Sequence, residues 1–359
     1  MGGRTRRPGR RPVPGRRGPD GGGEPAVRGA VRRAFGRAGG ARQRRHPRRR
    51  ARPRHPARRA RRRPAQLRRL LVRHAHRLGV RGGVPAERAA LVLDGALDPT
   101  QTTIDRTVDQ NAGFQQAFEA YATACAQQQN CPLGTDPALA TSRFQALTRP
   151  LIDAPLPADR GARQLSYTDA VTGTIQALYL SDFWPYLSLG LSGVASGDGT
   201  VLLTLADLYY NRGPDGHYGD GIEAFNAISC VDEQRITDRA EQAELIRRAN
   251  EAAPFRDDGR GVVDALDMCA FWPVPPTSSP HVPQVSGLPP TLVISTTGDP
   301  ATPYQAGVDL ARALGGSLLT FEGEQHTVAL RGVPCVDDAV TRYLVDLALP
   351  PPDTVCRPA

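Results

Sequence analysis

Two residues near the C-terminus have the chemistry for acid–base work: Asp299, in "TLVISTTGDPATPY", and His326, in "SLLTFEGEQHTVAL". An imidazole can take a proton from a hydroxyl nucleophile, and a carboxylate on its far nitrogen fixes the tautomer and stabilises the imidazolium. Each residue follows a short apolar run that reads as a buried strand, and in open α/β sheets functional residues gather in the loops at the C-terminal ends of strands. Acid first and base second, on successive strands, is an order in which such residues complete a nucleophile–acid–base triad. Both also have plainer readings. Gly298-Asp299-Pro300 is a turn signature by itself, and a lone loop histidine is often merely solvated. Thr302-Pro303-Tyr304-Gln305 reads as a helix start, with Thr302 as N-cap, Pro303 at the first helical position and Gln305 closing a capping box.

These residues need strands to carry them and helices to cover the strands. "RAALVLDG", beginning at Arg88, and "PTLVISTTGDP" are continuous apolar runs suited to a parallel sheet buried on both faces. A helix over 303–314, the strand "SLLTFEG" and a helix over 336–347 follow, an alternation that predicts an α/β fold with parallel strands. Between the first two strands the patterns are helical: 101–129, 136–148, 167–180, 199–210, 221–229 and 234–252, broken by the turn-prone loop "NRGPDGHYGDG". Pro and Ser crowd 273–290 like a linker. The predicted organisation is a first core strand in 85–100, an inserted helical cap over 101–275 and a C-terminal core over 276–359.

Residues 1–84 are of another kind. The 359-residue chain has 46 basic residues, all arginine, and 36 acids. Residues 1–90 hold 30 of the arginines and three acids, a balance of +27, while the remainder, 16 against 33, is −17. Arg, Gly, Pro and Ala dominate 1–84 without apolar periodicity, so this segment should be disordered as written. It has neither the apolar stretch of a secretory signal nor a membrane-spanning run. An arginine-rich arm could bind nucleic acid non-specifically through phosphates, which is the alternative function to weigh. No residue pattern calls for a metal or an organic cofactor.

All six cysteines lie beyond residue 120, as Cys125/Cys131, Cys230/Cys269 and Cys335/Cys356. An even count with one close pair suits an exported, disulfide-stapled protein, although six cysteines allow 15 connectivities and could also be buried thiols.

"RAALVLDGALDPT", "YYNRGPDGHYGDGIEAFNAISC", "TLVISTTGDPATPYQAGVDLARAL", "FEGEQHTVAL" and "CVDDAVTRYLVDLALPPPDTVC" together resemble the exported tripeptidyl-aminopeptidase-like α/β-hydrolases of actinobacteria, whose C-terminal part is the TAP-like domain. The resemblance covers about residues 85–356. It implies a partial α/β-hydrolase sheet with a helical cap, a serine exopeptidase acting on peptides, Asp299 and His326 as triad members, disulfides at the six cysteines, and a secreted or cell-surface location. Gln325 departs from the family, which has Gly there. An acid in the cap would hold the substrate's ammonium, for which Glu223 is the candidate.

The resemblance also demands a serine on a tight strand-to-helix turn, 23 residues before Asp94, where this chain has Leu71. Leu71-Val72-Arg73-His74-Ala75 can be encoded CTC GTA CGG CAC GCN, and skipping one base reads TCG TAC GGC ACG, or Ser-Tyr-Gly-Thr. The same shift permits Gly at Arg69 and Asn-Tyr at Gln66-Leu67. The expectation is that about 40–85 is an out-of-frame reading of the hydrolase's own text, and that the chain as written is inactive because its nucleophile is missing.

Overall fold

The computed structural model describes residues 65–67, 88–285 and 287–358, all within one unit, Arg58–Ala359. Residues 65–67 form a short strand where the sequence predicted disorder; the rest of 1–84, with the nucleophile position at Leu71, most of the shifted text and nearly all of the arginine-rich arm, lies outside the described residues.

In chain order, the strands β1 (Ala65–Leu67) and β2 (Arg88–Asp94) precede the helices α1 (Thr103–Ala126) and α2 (Ala140–Thr148). A short hairpin, β3 (Leu156–Ala158) and β4 (Arg163–Leu165), leads into α3 (Tyr167–Leu178), α4 (Trp184–Ala195), α5 (Thr200–Tyr209), α6 (Gly221–Asp232) and α7 (Arg239–Ala252). The chain then returns through β5 (Leu292–Thr296), α8 (Tyr304–Leu314), β6 (Ser317–Phe321), α9 (Pro334–Asp346) and β7 (Thr354–Cys356).

The main sheet has the order β1-β2-β5-β6-β7, and every neighbouring pair is parallel. Its central strands are apolar without alternation because both faces are covered. Ala90, Val92, Leu292, Ile294, Leu319 and Phe321 turn to one face and pack with Val336, Val340 and Tyr343 of α9. Leu91, Leu93 and Val293 turn to the other and meet Leu310 and Ala311 of α8. The Tyr343 hydroxyl accepts from Leu91 N (3.0 Å) and donates to the carbonyl of Pro290, which ties α9 to the middle of β2 and to the segment just before β5. Burying a phenol requires such partners.

The helical insertion between β2 and β5 has its own core. Phe118 stacks on Phe255 at 4.8 Å, and Phe144 meets both edge-on. The six predicted helical stretches are present. The structure adds β1, α4, the β3–β4 hairpin and β7, none of which the sequence pattern marked. Three disulfides close the pairs Cys125–Cys131, Cys230–Cys269 and Cys335–Cys356, the last fastening β7 to the first turn of α9. No helix among the described residues is long and apolar enough to cross a membrane.

Candidate active site

β5 ends at Thr296, and the chain turns so that Asp299 lies buried just beyond it, its side chain 1 % exposed. Four donors converge on this carboxylate. Oδ1 accepts from the backbone N–H of Ala301 (2.9 Å) and Thr302 (2.8 Å), Oδ2 accepts from the Thr302 hydroxyl (2.9 Å), and the fourth donor is an imidazole. The expected N-cap role of Thr302 is therefore corrected. Helix α8 begins at Tyr304, Pro303 occupies the cap position, and no side chain caps it. A hydroxyl beside a buried carboxylate makes a charge-assisted bond, which is stronger than a neutral cap to a backbone N–H.

His326 is the imidazole. It follows β6 by five residues, and its Nδ1 stands 2.8 Å from both Oδ1 and Oδ2 of Asp299, with the Thr302 hydroxyl at 3.3 Å. Nδ1 thus carries the proton toward the acid, leaving Nε2 as the basic nitrogen. The ring is fixed from the cap side as well: Tyr179, just past α3, meets it edge-on at 5.3 Å, and the Tyr179 carbonyl accepts from the backbone N–H of His326 (2.9 Å). Thr327 has φ 64°, a left-handed conformation uncommon for a β-branched residue, and its hydroxyl donates to the His326 carbonyl (2.6 Å). Gln325, where the family resemblance predicts Gly, donates through Nε2 to the Thr327 carbonyl (2.7 Å) and so braces that turn.

The loops that bear Asp299 and His326 are stitched together. Thr297 N donates to Phe321 O and Gly298 N to Gly323 O, each at 2.9 Å, and Gly323 N returns to the Thr297 hydroxyl at 3.3 Å. A Cβ at Gly298 would fall 2.2 Å from Oε2 of Glu324, so glycine is the residue that lets the loops approach. Burial raises the Glu324 carboxyl above its ordinary range.

A second buried carboxylate stands at the end of β2. Oδ2 of Asp94 accepts from the backbone N–H of Val328 (2.9 Å) and Ala329 (2.8 Å), immediately after His326, whereas its Oδ1 is buried with no hydrogen-bond partner. Burial pushes Asp94 up to about 6. The two N–H bonds oppose that shift and the charge of Asp299 adds to it. Gly95 follows with φ +65°, and a Cβ there would lie 3.1 Å from His326 Cε1 and 2.9 Å from Thr327 Cγ2.

The structure therefore brings Asp299 and His326 together. Glu223 stands exposed on the first turn of α6, and no hydrogen bond or ion pair joins it to them among the described residues. Sequence reasoning missed Asp94, Thr302, Thr327 and Tyr179 as parts of the site. For Asp94 a signal existed: an acid closing a fully apolar strand, followed by glycine, is a buried carboxylate that needs donors.

Residues 254–356 match the family model described as TAP-like protein. The chain is 48 % identical over 279 residues to Serine protease Hip1 of Mycobacterium tuberculosis, a match covering 76 % of this chain and 54 % of that protein. It is 48 % identical over 271 residues to Carboxylesterase B of the same organism, covering 75 % of this chain and 52 % of that protein. Tripeptidyl aminopeptidase of Streptomyces coelicolor is 25 % identical over 280 residues, covering 75 % of this chain and 49 % of that protein. The chain spans about half the length of the curated relatives it matches.

Proposed function

Starting from a chain whose C-terminal part is a TAP-like α/β-hydrolase domain, we propose that it holds the acid–base half of a serine exopeptidase that releases short peptides from free N-termini. The observation that carries this reading is the bidentate contact of Asp299 with His326 Nδ1, buried at the ends of adjacent parallel strands. With a serine hydroxyl supplied on the neighbouring strand, His326 Nε2 would take the hydroxyl proton as oxygen attacks the scissile carbonyl. It would then return that proton to the leaving amine, while Asp299 keeps the ring oriented and stabilises its charged form. The names of the relatives, a serine protease and a tripeptidyl aminopeptidase, support peptide bonds as the target.

In this reading the chain as written does not hydrolyse peptides, because the serine position holds Leu71 in a shifted frame. Two facts favour the shift. β1 is a parallel neighbour of β2 and ends at Leu67, four residues before Leu71, where a nucleophile turn after such a strand belongs. The share matched by the relatives, about three quarters, is also the share of the chain that begins at Arg88. Export is the companion proposal, supported by the three disulfides.

The gene sequence across codons 30–95 and a frame-restored chain test the reading together. Codon 72 should be GTA, and the restored chain should cleave a tripeptidyl p-nitroanilide that the chain as written leaves intact. Hydrolysis by the chain as written, or a different codon 72, would overturn it.

A further inference from the structure

The first helix of the insertion touches both halves of the acid–base pair, and it does so from one face. On α1, Gln110, Gly113 and Phe114 lie three and four residues apart, the spacing of neighbours on a helix surface. Gln110 reaches the acid loop. Its Nε2 donates to the carbonyl of Ala301 (2.9 Å), the residue whose N–H is given to Asp299 Oδ1. Gly113 lets the helix close on the same loop, because a Cβ there would fall 2.8 Å from the carbonyl oxygen of Pro300 and 3.3 Å from that of Asp299. Phe114 serves the base instead. Its ring, 4 % exposed, meets Tyr179 at 5.5 Å and 68°, and Tyr179 meets His326 at 5.3 Å and 66°. Two edge-to-face contacts in series thus run from α1 to the imidazole.

Tyr179 is fixed at its backbone as well as its ring. α3 ends at Leu178, and Leu180 is extended and forms a one-residue antiparallel bridge with Gln325. That bridge carries the bond from His326 N to the Tyr179 carbonyl (2.9 Å) and one from Ser181 N to the Glu324 carbonyl (3.3 Å). Backbone and ring of Tyr179 therefore meet backbone and ring of His326. The imidazole needs this second hold. The terminal torsion of a histidine is broad, so a hydrogen bond at Nδ1 alone leaves the ring free to pivot about it. Gly95 closes on Cε1 from the sheet, where a Cβ would stand 3.1 Å away, and Tyr179 meets the ring from the insertion. The side chain, 9 % exposed, is confined between them with Nδ1 on Asp299.

We propose that the helical insertion is the clamp of the acid–base pair: Gln110 and Gly113 of α1 set the acid loop, and Phe114 acting through Tyr179 sets the His326 ring. Tyr179 is a positioning residue in this arrangement, and a displacement of α1 is a displacement of the base. An insertion that holds the imidazole does more than cover a substrate, since it decides where Nε2 faces. The proposal deepens the hydrolase reading and rests on it for calling His326 a base, but the ring's confinement needs no nucleophile.

The test is imidazole NMR of the full chain as written, following exchange with water of the His326 Nδ1 proton, assigned by its loss in His326→Gln, with the thermal midpoint measured beside it. Tyr179→Leu should speed that exchange by about threefold to tenfold, the worth of one aromatic pair. Tyr179→Phe keeps the ring and should match the wild type. Gln110→Ala, which frees the Ala301 carbonyl, should act in the same direction as Tyr179→Leu by about twofold. Unchanged exchange in a folded Tyr179→Leu chain would overturn the proposal, and so would a lowered thermal midpoint with the imidazole signal intact, which marks packing alone. A wild-type chain without a slowly exchanging Nδ1 proton would overturn it equally. If Tyr179→Leu does not fold, Gln110→Ala and Phe114→Leu decide the matter, because an unmoved signal in both leaves α1 no hold on the ring. Failure of the frame-restored chain to hydrolyse peptides would sink the peptidase reading and leave this ring measurement standing.

Discussion

Two strand ends, one at Asp94 and one at Asp299, bury a carboxylate within reach of the same histidine loop, and they treat it differently. At the end of β5 both oxygens of Asp299 are used, by two backbone N–H groups, a hydroxyl and the imidazole. At the end of β2 one oxygen of Asp94 holds two N–H groups while the other is buried with no hydrogen-bond partner. Full satisfaction lets Asp299 act on a side chain, because its own position is overdetermined. Partial satisfaction gives Asp94 a structural hold on the backbone behind His326 at the cost of a raised pKa. The difference shows that burial alone does not set what a carboxylate can do; the decisive feature is what it grips.

Breaking the first end should have the largest effect. Asp299→Asn in the frame-restored chain should lower kcat by about 10⁴-fold with little change in KM, since the histidine would lose its tautomer partner. Equal losses from Asp94→Asn would erase the distinction between the two ends.

The second end predicts a pH effect instead. Asp94 titrates near 6 in the fold against an ordinary value of 3.8, so between these pH values the folded chain binds more protons than the unfolded one. This contribution to stability is therefore greatest below 3.8 and declines as pH rises to about 6. Asp94→Asn should flatten that slope and gain up to ~3 kcal/mol at neutral pH, read from urea midpoints across the window. A wild-type chain that loses no stability over that interval would contradict the picture.

Gly95→Ala sharpens the link between the ends. The new methyl would press on Thr327, Thr302 and His326 from a left-handed backbone position, costing about 1–2 kcal/mol and lowering restored activity at least tenfold. The smallest effect is expected from Thr302→Val, which removes one donor from a carboxylate that keeps three: about 1 kcal/mol in thermal stability and a few-fold in kcat.

What could be read from the chain beforehand divides along the same physical line. β2 and β5 were legible because unbroken apolar runs have few alternatives, and α1 because Phe114, Phe118 and Tyr121 recur on one face. α4 escaped because Pro185, Gly190 and Gly193 read as breakers, although Leu187, Leu191 and Val194 bury one side of it. β3, β4 and β7 have three residues each, too few for any period to show. Asp299 and His326 could be nominated from local text. The grip of Asp94 could not, since its partners lie 234 and 235 residues away, and Thr302 was misread because a local capping pattern says nothing of a buried acid three residues earlier.

The stitching of the two loops has a consequence for inheritance. The bonds between Asp299 and His326, and those that stitch their two loops together, are made between residues 296 and 326, while Asp94, Tyr179 and Ser181 brace the histidine loop from outside. The direct acid–base contact is written in one short stretch of the C-terminal part, although Asp94 and Tyr179, far upstream, brace it. A lineage that damaged its nucleophile would go on building a faithful acid–base pair, so such a pair in a related chain is a record of ancestry and not proof of turnover. In the frameshift reading proposed above, restoring one base would bring a serine to an Asp299–His326 pair that is already formed.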